Sequence, residues 1–113
     1  MIRYAAHYVY LPDYGFLKQY VVEMRDGHVI ALFPLTSEIE NTEWQPGVIV
    51  LTASEHEVDA SLFRVKTLLK GVPSEVKNKL SQWIPILLFP FDFTGMKPVA
   101  GTQRRRLRQQ WLR

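Results

Sequence analysis

Residues 20–33 read YVVEMRDGHVIALF. Two apolar runs, 20–24 and 28–33, flank Asp26-Gly27, a dipeptide that accepts the positive φ angles of a two-residue hairpin turn. An antiparallel strand pair is expected here. Working outward toward the N-terminus, residues 3–11 and 16–25 are rich in Tyr, Val and Phe and are separated by Pro12-Asp13-Tyr14-Gly15, a strand, turn, strand signal. On the other side Pro34 ends the third strand, because proline has no N–H to give to a ladder. Residues 36–43 (TSEIENTE) are polar and acidic and suit an exposed connection or a short helical turn. Pro46-Gly47 then turns the chain into Val48-Ile49-Val50-Leu51, whose unbroken apolar character predicts a strand buried on both faces.

Beyond this the period changes. Ser54 followed by Glu57 fits a capping box, and Val58, Leu62, Val65 and Leu69 follow at helical spacing up to Gly71, so a helix is expected over residues 55–70. Pro73-Ser74-Glu75 opens a second, over 74–83, with Val76, Leu80 and Trp83 on one face. A further strand is expected over 86–93, where Pro90 points to an edge position or a bulge. After Thr94-Gly95 the chain reads as irregular through Pro98 and Gly101 and ends in a basic segment with Leu107 and Trp111 one helical turn apart. The expected architecture is α+β and β-rich: a small β-sandwich or half-barrel of about five strands, two helices, and a basic C-terminal helix. Residues 1–100 form one domain and 101–113 a tail.

Composition narrows the function classes. A chain of 113 residues with 47% apolar residues holds one core and buries about two-thirds of its unfolded surface. Cysteine is absent, which removes thiol catalysis, thiolate zinc sites and disulfides, and a reducing cytoplasm is the expected compartment. The longest apolar stretch, residues 84–91 (IPILLFPF), contains two prolines and is far shorter than the roughly 20 residues of a bilayer span. No membrane span is expected. Charge is divided unevenly: residues 1–100 carry nine Lys/Arg against eleven Asp/Glu, whereas 101–113 carry five arginines and no acid.

The pattern of a strand pair, Asp26-Gly27-His28-Val29-Ile30-Ala31, an acidic connection and Trp44-Gln45-Pro46-Gly47-Val48-Ile49 resembles the N-terminal β-domain of the amidohydrolase superfamily, over about residues 1–52. In that family a Pro-Gly-Phe-Ile-Asp-x-His-x-His segment leads into a metal-bearing barrel. The resemblance puts Val50 at the aspartate and Thr52 and Ser54 at the two histidines. A valine cannot hold a metal and a lone hydroxyl is a poor ligand. A barrel takes about 250 residues. The resemblance therefore implies a β-domain without the chemistry of the family.

Other candidate sites are His7, His28 and His56, with Glu55 and Glu57 flanking the last as possible metal partners. Against them stands the reading of surface or hydrogen-bonded histidines. The serines at 37, 54, 61, 74 and 81 lack a nucleophile-elbow pattern, and the six glycines form no phosphate loop. Acids such as Asp59 near a helix start are explained by the dipole. Tyr4, Tyr8 and Tyr10 share parity, so an extended strand would place them on one core or interface face. In the tail, Arg104, Arg105, Arg106, Arg108 and Trp111 suit RNA phosphates and a stacked base, an anionic membrane, or an acidic protein surface. Alternatively Leu107, Trp111 and Leu112 pack on the body of the protein itself. No cofactor is expected. The leading functional expectation is a non-catalytic domain for protein association, including a homodimer, and the alternative is an RNA-binding accessory protein acting through the tail.

Overall fold

The structure is a computed structural model that describes residues 2–36, 41–54, 56 and 58–107. The described residues form nine strands: β1 (Ile2–Ala5), β2 (Tyr8–Leu11), β3 (Gly15–Lys18), β4 (Tyr20–Arg25), β5 (His28–Pro34), β6 (Thr42–Trp44), β7 (Val48–Thr52), β8 (Ile84–Asp92) and β9 (Lys97–Arg106). Two sheets result, in the orders β5-β4-β1-β6 and β3-β2-β7-β8-β9.

The Asp26-Gly27 turn is formed as expected, with Asp26 at φ 53° and Gly27 at φ 80° and Arg25 paired with His28. Positive φ at both central residues is the geometry that matches the twist of a two-residue hairpin. One extra residue, Ile30, sits where Glu23 pairs with Ala31 and Met24 with Val29, and this bulge leaves Ile30 exposed. Arg3 and Glu23 face each other across β1 and β4, and Arg3 Nε donates to Glu23 Oε2 at 2.8 Å. The strand over 48–51 is β7, and all five of its residues are buried.

What composition did not reveal is that three long strands are each broken in the middle. The stretch 3–11 is β1 in one sheet and β2 in the other, 16–25 is β3 and β4, and β6 passes into β7. The breaks lie side by side, because β1 and β2 run parallel to β6 and β7 and antiparallel to β4 and β3. Strands that change sheets at a bend are how two packed sheets share a corner. Ala5 and Ala6, wholly buried, give the bend its small side chains, and Gln19 turns at φ 52°. Backbone bonds hold the bend: Gln19 N–H donates to His7 O at 2.9 Å and Gln45 N–H to Ala5 O at 2.7 Å.

Folding over this corner creates two cores. Tyr4, Val22, Met24 and Val29 of the first sheet meet Val9, Leu11, Ile49, Leu51 and Leu87 of the second. On the far side of the second sheet, Tyr10, Phe16, Val48, Val50, Ile86 and Leu88 gather with Val58, Phe63 and Phe91. Alternate residues of β2, β7 and β8 thus serve opposite cores, which is why these strands read as continuously apolar. Tyr4 and Tyr10 do not share a face, since the bend separates them: Tyr4 enters the first core and Tyr10 the second.

The expected helices are corrected. Residues 55–70 and 74–83 hold short 3-10 turns at Ala60–Leu62, Ser74–Val76 and Leu80–Gln82, and no helix reaches seven residues among those described. Val58 and Phe63 do cover the second core, but the chain then extends along the edge of β3. Phe16 N–H donates to Thr67 O and Leu69 N–H to Phe16 O, both at 2.8 Å. A helix would satisfy its own backbone and leave that edge bare, so tertiary pairing overrides the helical spacing. In 74–83, Val76 and Leu80 face the first core as the spacing implied. The backbone bonds, however, run from residue i+3 to i, as in Val76 N to Pro73 O and Trp83 N to Leu80 O. Glu57 of the proposed capping box lies outside the described residues, and Ser54 Oγ accepts from His56 N–H at 3.2 Å.

A second correction concerns the C-terminal segment. Instead of irregular chain and a basic helix, residues 97–106 are β9, paired antiparallel with β8. The strand β8 is therefore central, and Pro90 is accommodated by a register shift between Phe89 and Phe91. Asp92 Oδ1 shapes the β8–β9 turn by accepting the N–H groups of Thr94 and Gly95 at 2.9 and 3.0 Å. These bonds hold its carboxyl below the ordinary aspartate value. Among the described residues, no helix is long and apolar enough to cross a membrane.

Candidate functional site: an aromatic corner

The corner that divides the long strands also exposes a cluster of rings. His7 ends the bend between β1 and β2, Trp44 ends β6, and Phe93 follows β8. The His7 ring lies 5.1 Å from that of Trp44, edge to face, and 4.9 Å from that of Phe93. Phe93 also meets Tyr8 at 6.0 Å and Phe91 at 5.5 Å, and Phe91 continues through Phe63 to Tyr10 inside the second core. Surface rings are thereby seated on a stack of buried ones. Trp44 is 45% exposed, Phe93 38% and Phe89 47%.

Gly47 binds these pieces together. Its N–H donates to His7 Nδ1 at 3.1 Å, which makes that nitrogen an acceptor and leaves the proton of the neutral ring on Nε2. Its φ is 120°, and a Cβ placed there would stand 2.3 Å from Leu88 O and 3.2 Å from Phe89 Cβ. Phe89 therefore abuts the same glycine whose amide orients His7. His7, Trp44 and Phe93 form one patch beside it.

Of the arginines singled out in the sequence, Arg105 lies next to this corner. Arg105 Nη2 donates to Gln45 Oε1 at 2.7 Å, and Gln45 Nε2 in turn donates to the Glu43 carboxylate. Arg104 points to the opposite face of the strand, where Nη1 donates to Val58 O at 2.7 Å. Arg106 is exposed at the end of β9. Leu107 is buried in the first core, and its N–H donates to Pro85 O at 2.9 Å. Arg108 and Trp111 lie outside the described residues. Two of the three described arginines thus hold the last strand against the protein itself, and a row of arginines along an open sheet edge discourages edge-to-edge pairing with another strand.

The other candidates are dispersed. His28 is on the hairpin and His56 is exposed in the loop after β7, so neither joins His7 at the corner. No group of three His, Asp or Glu residues suited to a metal occurs among the described residues. Val50 is buried in the second core, Thr52 Oγ1 donates to Ser54 O at 3.4 Å, and Glu55 lies outside the described residues. Asp59 Oδ1 accepts from the side chain and backbone N–H of Ser61, which lowers its carboxyl from the ordinary value. That is turn chemistry. The exposure of Trp44, Phe89 and Phe93 had no sequence signal, since it follows from where the strands bend. Compared with protein-family models, curated proteins and solved structures, the chain matches none.

Proposed function

We propose that this chain is a protein-association module rather than an enzyme, and that it docks through the aromatic corner, with a second copy of itself as the partner. The observation that carries this reading is the exposed patch of Trp44 and Phe93 on either side of His7, with Phe93 seated on buried Phe91. Tryptophan and its aromatic neighbours supply large rigid contact area at small entropic cost, and such residues dominate interface energetics. A patch seated on a packed core is preorganised, so docking would order little that is not already ordered. A two-fold dimer, in which the same patch of each copy meets its counterpart, is the simplest closed arrangement. The resemblance of residues 1–52 to a β-domain that lies against a barrel agrees with a surface that requires cover. The absence of cysteine is compatible with a reducing compartment.

Sedimentation equilibrium at micromolar concentration tests this. The expected mass rises from near the 13.2 kDa of the chain toward about twice that value between about 10 and 500 µM, and stays at the single-chain value when Trp44→Ala and Phe93→Ser are combined. A wild-type protein at the single-chain mass over the whole range contradicts the reading.

A further inference from the structure

On another part of the surface, the β2–β3 turn, the end of β7 and the 3-10 turns around Ser61 and Leu80 enclose a cleft of about 500 Å³. That is the size of many small-molecule sites. Its walls are chemically mixed in a particular way. Tyr14 and Trp83, both half-buried against the first core, supply two rings. Arg64 and Lys79 supply two cations, against the single described acid of the lining, Asp13.

Neither cation is committed. Arg64 Nη2 stands 4.0 Å from Asp13 Oδ1, with both side chains at least 80% exposed, and a pair of that kind is worth little. Lys79 Nζ donates to Tyr14 Oη at 3.3 Å and lies 5.8 Å from the centre of the same ring. Among the described residues no carboxylate pairs with it. A phenol holds the ammonium in place without neutralising it. Thr52 and Ser61 belong to the same lining, with their hydroxyls donating to Ser54 O and the Asp59 carboxylate.

We infer that this cleft binds a small planar anion, an aromatic ring carrying a carboxylate or a phosphate. The ring would lie against Tyr14 and Trp83, where apolar Leu51 and Leu62 complete the wall. The anionic group would meet Lys79 and Arg64, and the fork of Arg64 suits two oxygens of either anion. The site is independent of the aromatic corner, whose residues it does not share.

Proton–nitrogen NMR of the full labelled chain provides the test, with benzoate, indole-3-acetate and adenosine monophosphate as probes. Their neutral counterparts are benzamide, indole-3-acetamide and adenosine, with inorganic phosphate as the ring-free control. At least one ring anion is expected to shift the Trp83 indole N–H and the Thr52 and Ser61 amides saturably, and its neutral counterpart to bind at least about tenfold more weakly. Lys79→Gln and Arg64→Gln, both exposed positions whose spectra report their own folding, are each expected to weaken binding severalfold. The inference is overturned if no probe moves these signals below about 5 mM, if neutral probes or phosphate alone bind as well, or if both variants bind as tightly as the wild type.

Discussion

Replacing Gly47 by alanine should cost more than any other glycine substitution away from the β2–β3 turn, and the structure sets the scale. At φ 120° a side chain is strained whatever the space around it, and strain of that class costs roughly 1–3 kcal/mol. The added Cβ would also stand 2.3 Å from Leu88 O, a backbone atom of central β8 that cannot swing aside. Relieving that overlap means displacing β7 from β8 or the corner from the sheet, with loss of the Gly47 N–H to His7 bond. A total of about 3 kcal/mol or more is expected, a large part of the 5–15 kcal/mol by which domains are stable. Two other glycines calibrate it. Gly27 has φ 80° with nothing within 4 Å of a Cβ, so only strain applies and about 1 kcal/mol is expected. Gly71 has neither positive φ nor neighbours, and Gly71→Ala should be close to neutral. Urea unfolding of the three variants gives the order directly. If Gly47→Ala lies within about 1 kcal/mol of Gly71→Ala, the close approach at the corner is wrong.

Tyr10→Phe keeps the ring stacked 4.6 Å from Phe63 but removes the bond from Tyr10 Oη to Leu62 O, and chemical unfolding should show a loss of about 1–2 kcal/mol from the bare carbonyl. Burial raises the Tyr10 phenol above its ordinary value; its contribution is present below about pH 10 and lost as pH rises through the folded value, so the Phe variant should lose less stability in alkali. Leu107→Ala removes a buried side chain from the first core and should cost about 2–4 kcal/mol, read as a lowered melting temperature. Asp92, held below the ordinary value by the Gly95 and Thr94 amides, contributes stability that is present above about pH 4 and lost as pH falls through its folded value. Asp92→Asn retains the acceptor, so its stability should fall less steeply in acid than that of the wild type.

Much of the strand plan was legible because local chemistry and tertiary structure agree. Asp26-Gly27, Pro34, Pro46-Gly47 and the apolar run into β7 each act over a few residues. The helical spacing of Val58, Leu62, Val65 and Leu69 misleads because the segment is needed as a cover for one core and a partner for β3. Lys97–Arg106 is the opposite case: KPVAGTQRRR has little strand character, and its pairing follows from the need of β8 for a second neighbour. The bends at Ala6-His7 and Gln19 carry no proline or glycine. Without them the separation of Tyr4 from Tyr10 and the exposure of Trp44 could not be read. The arginines were visible as charge, but their partners, Val58 O and Gln45 Oε1, depend on the strand register.

The central claim, that the aromatic corner is the surface through which this chain associates, is tested most directly by fluorine NMR of protein labelled with 5-fluorotryptophan. The chain has three tryptophans, and Trp44→Phe identifies the resonance of interest. Between about 10 and 500 µM, a range that brackets micromolar dimerisation, the Trp44 signal should move with concentration while that of Trp83 stays in place. A Trp44 resonance that does not change over this range contradicts the claim.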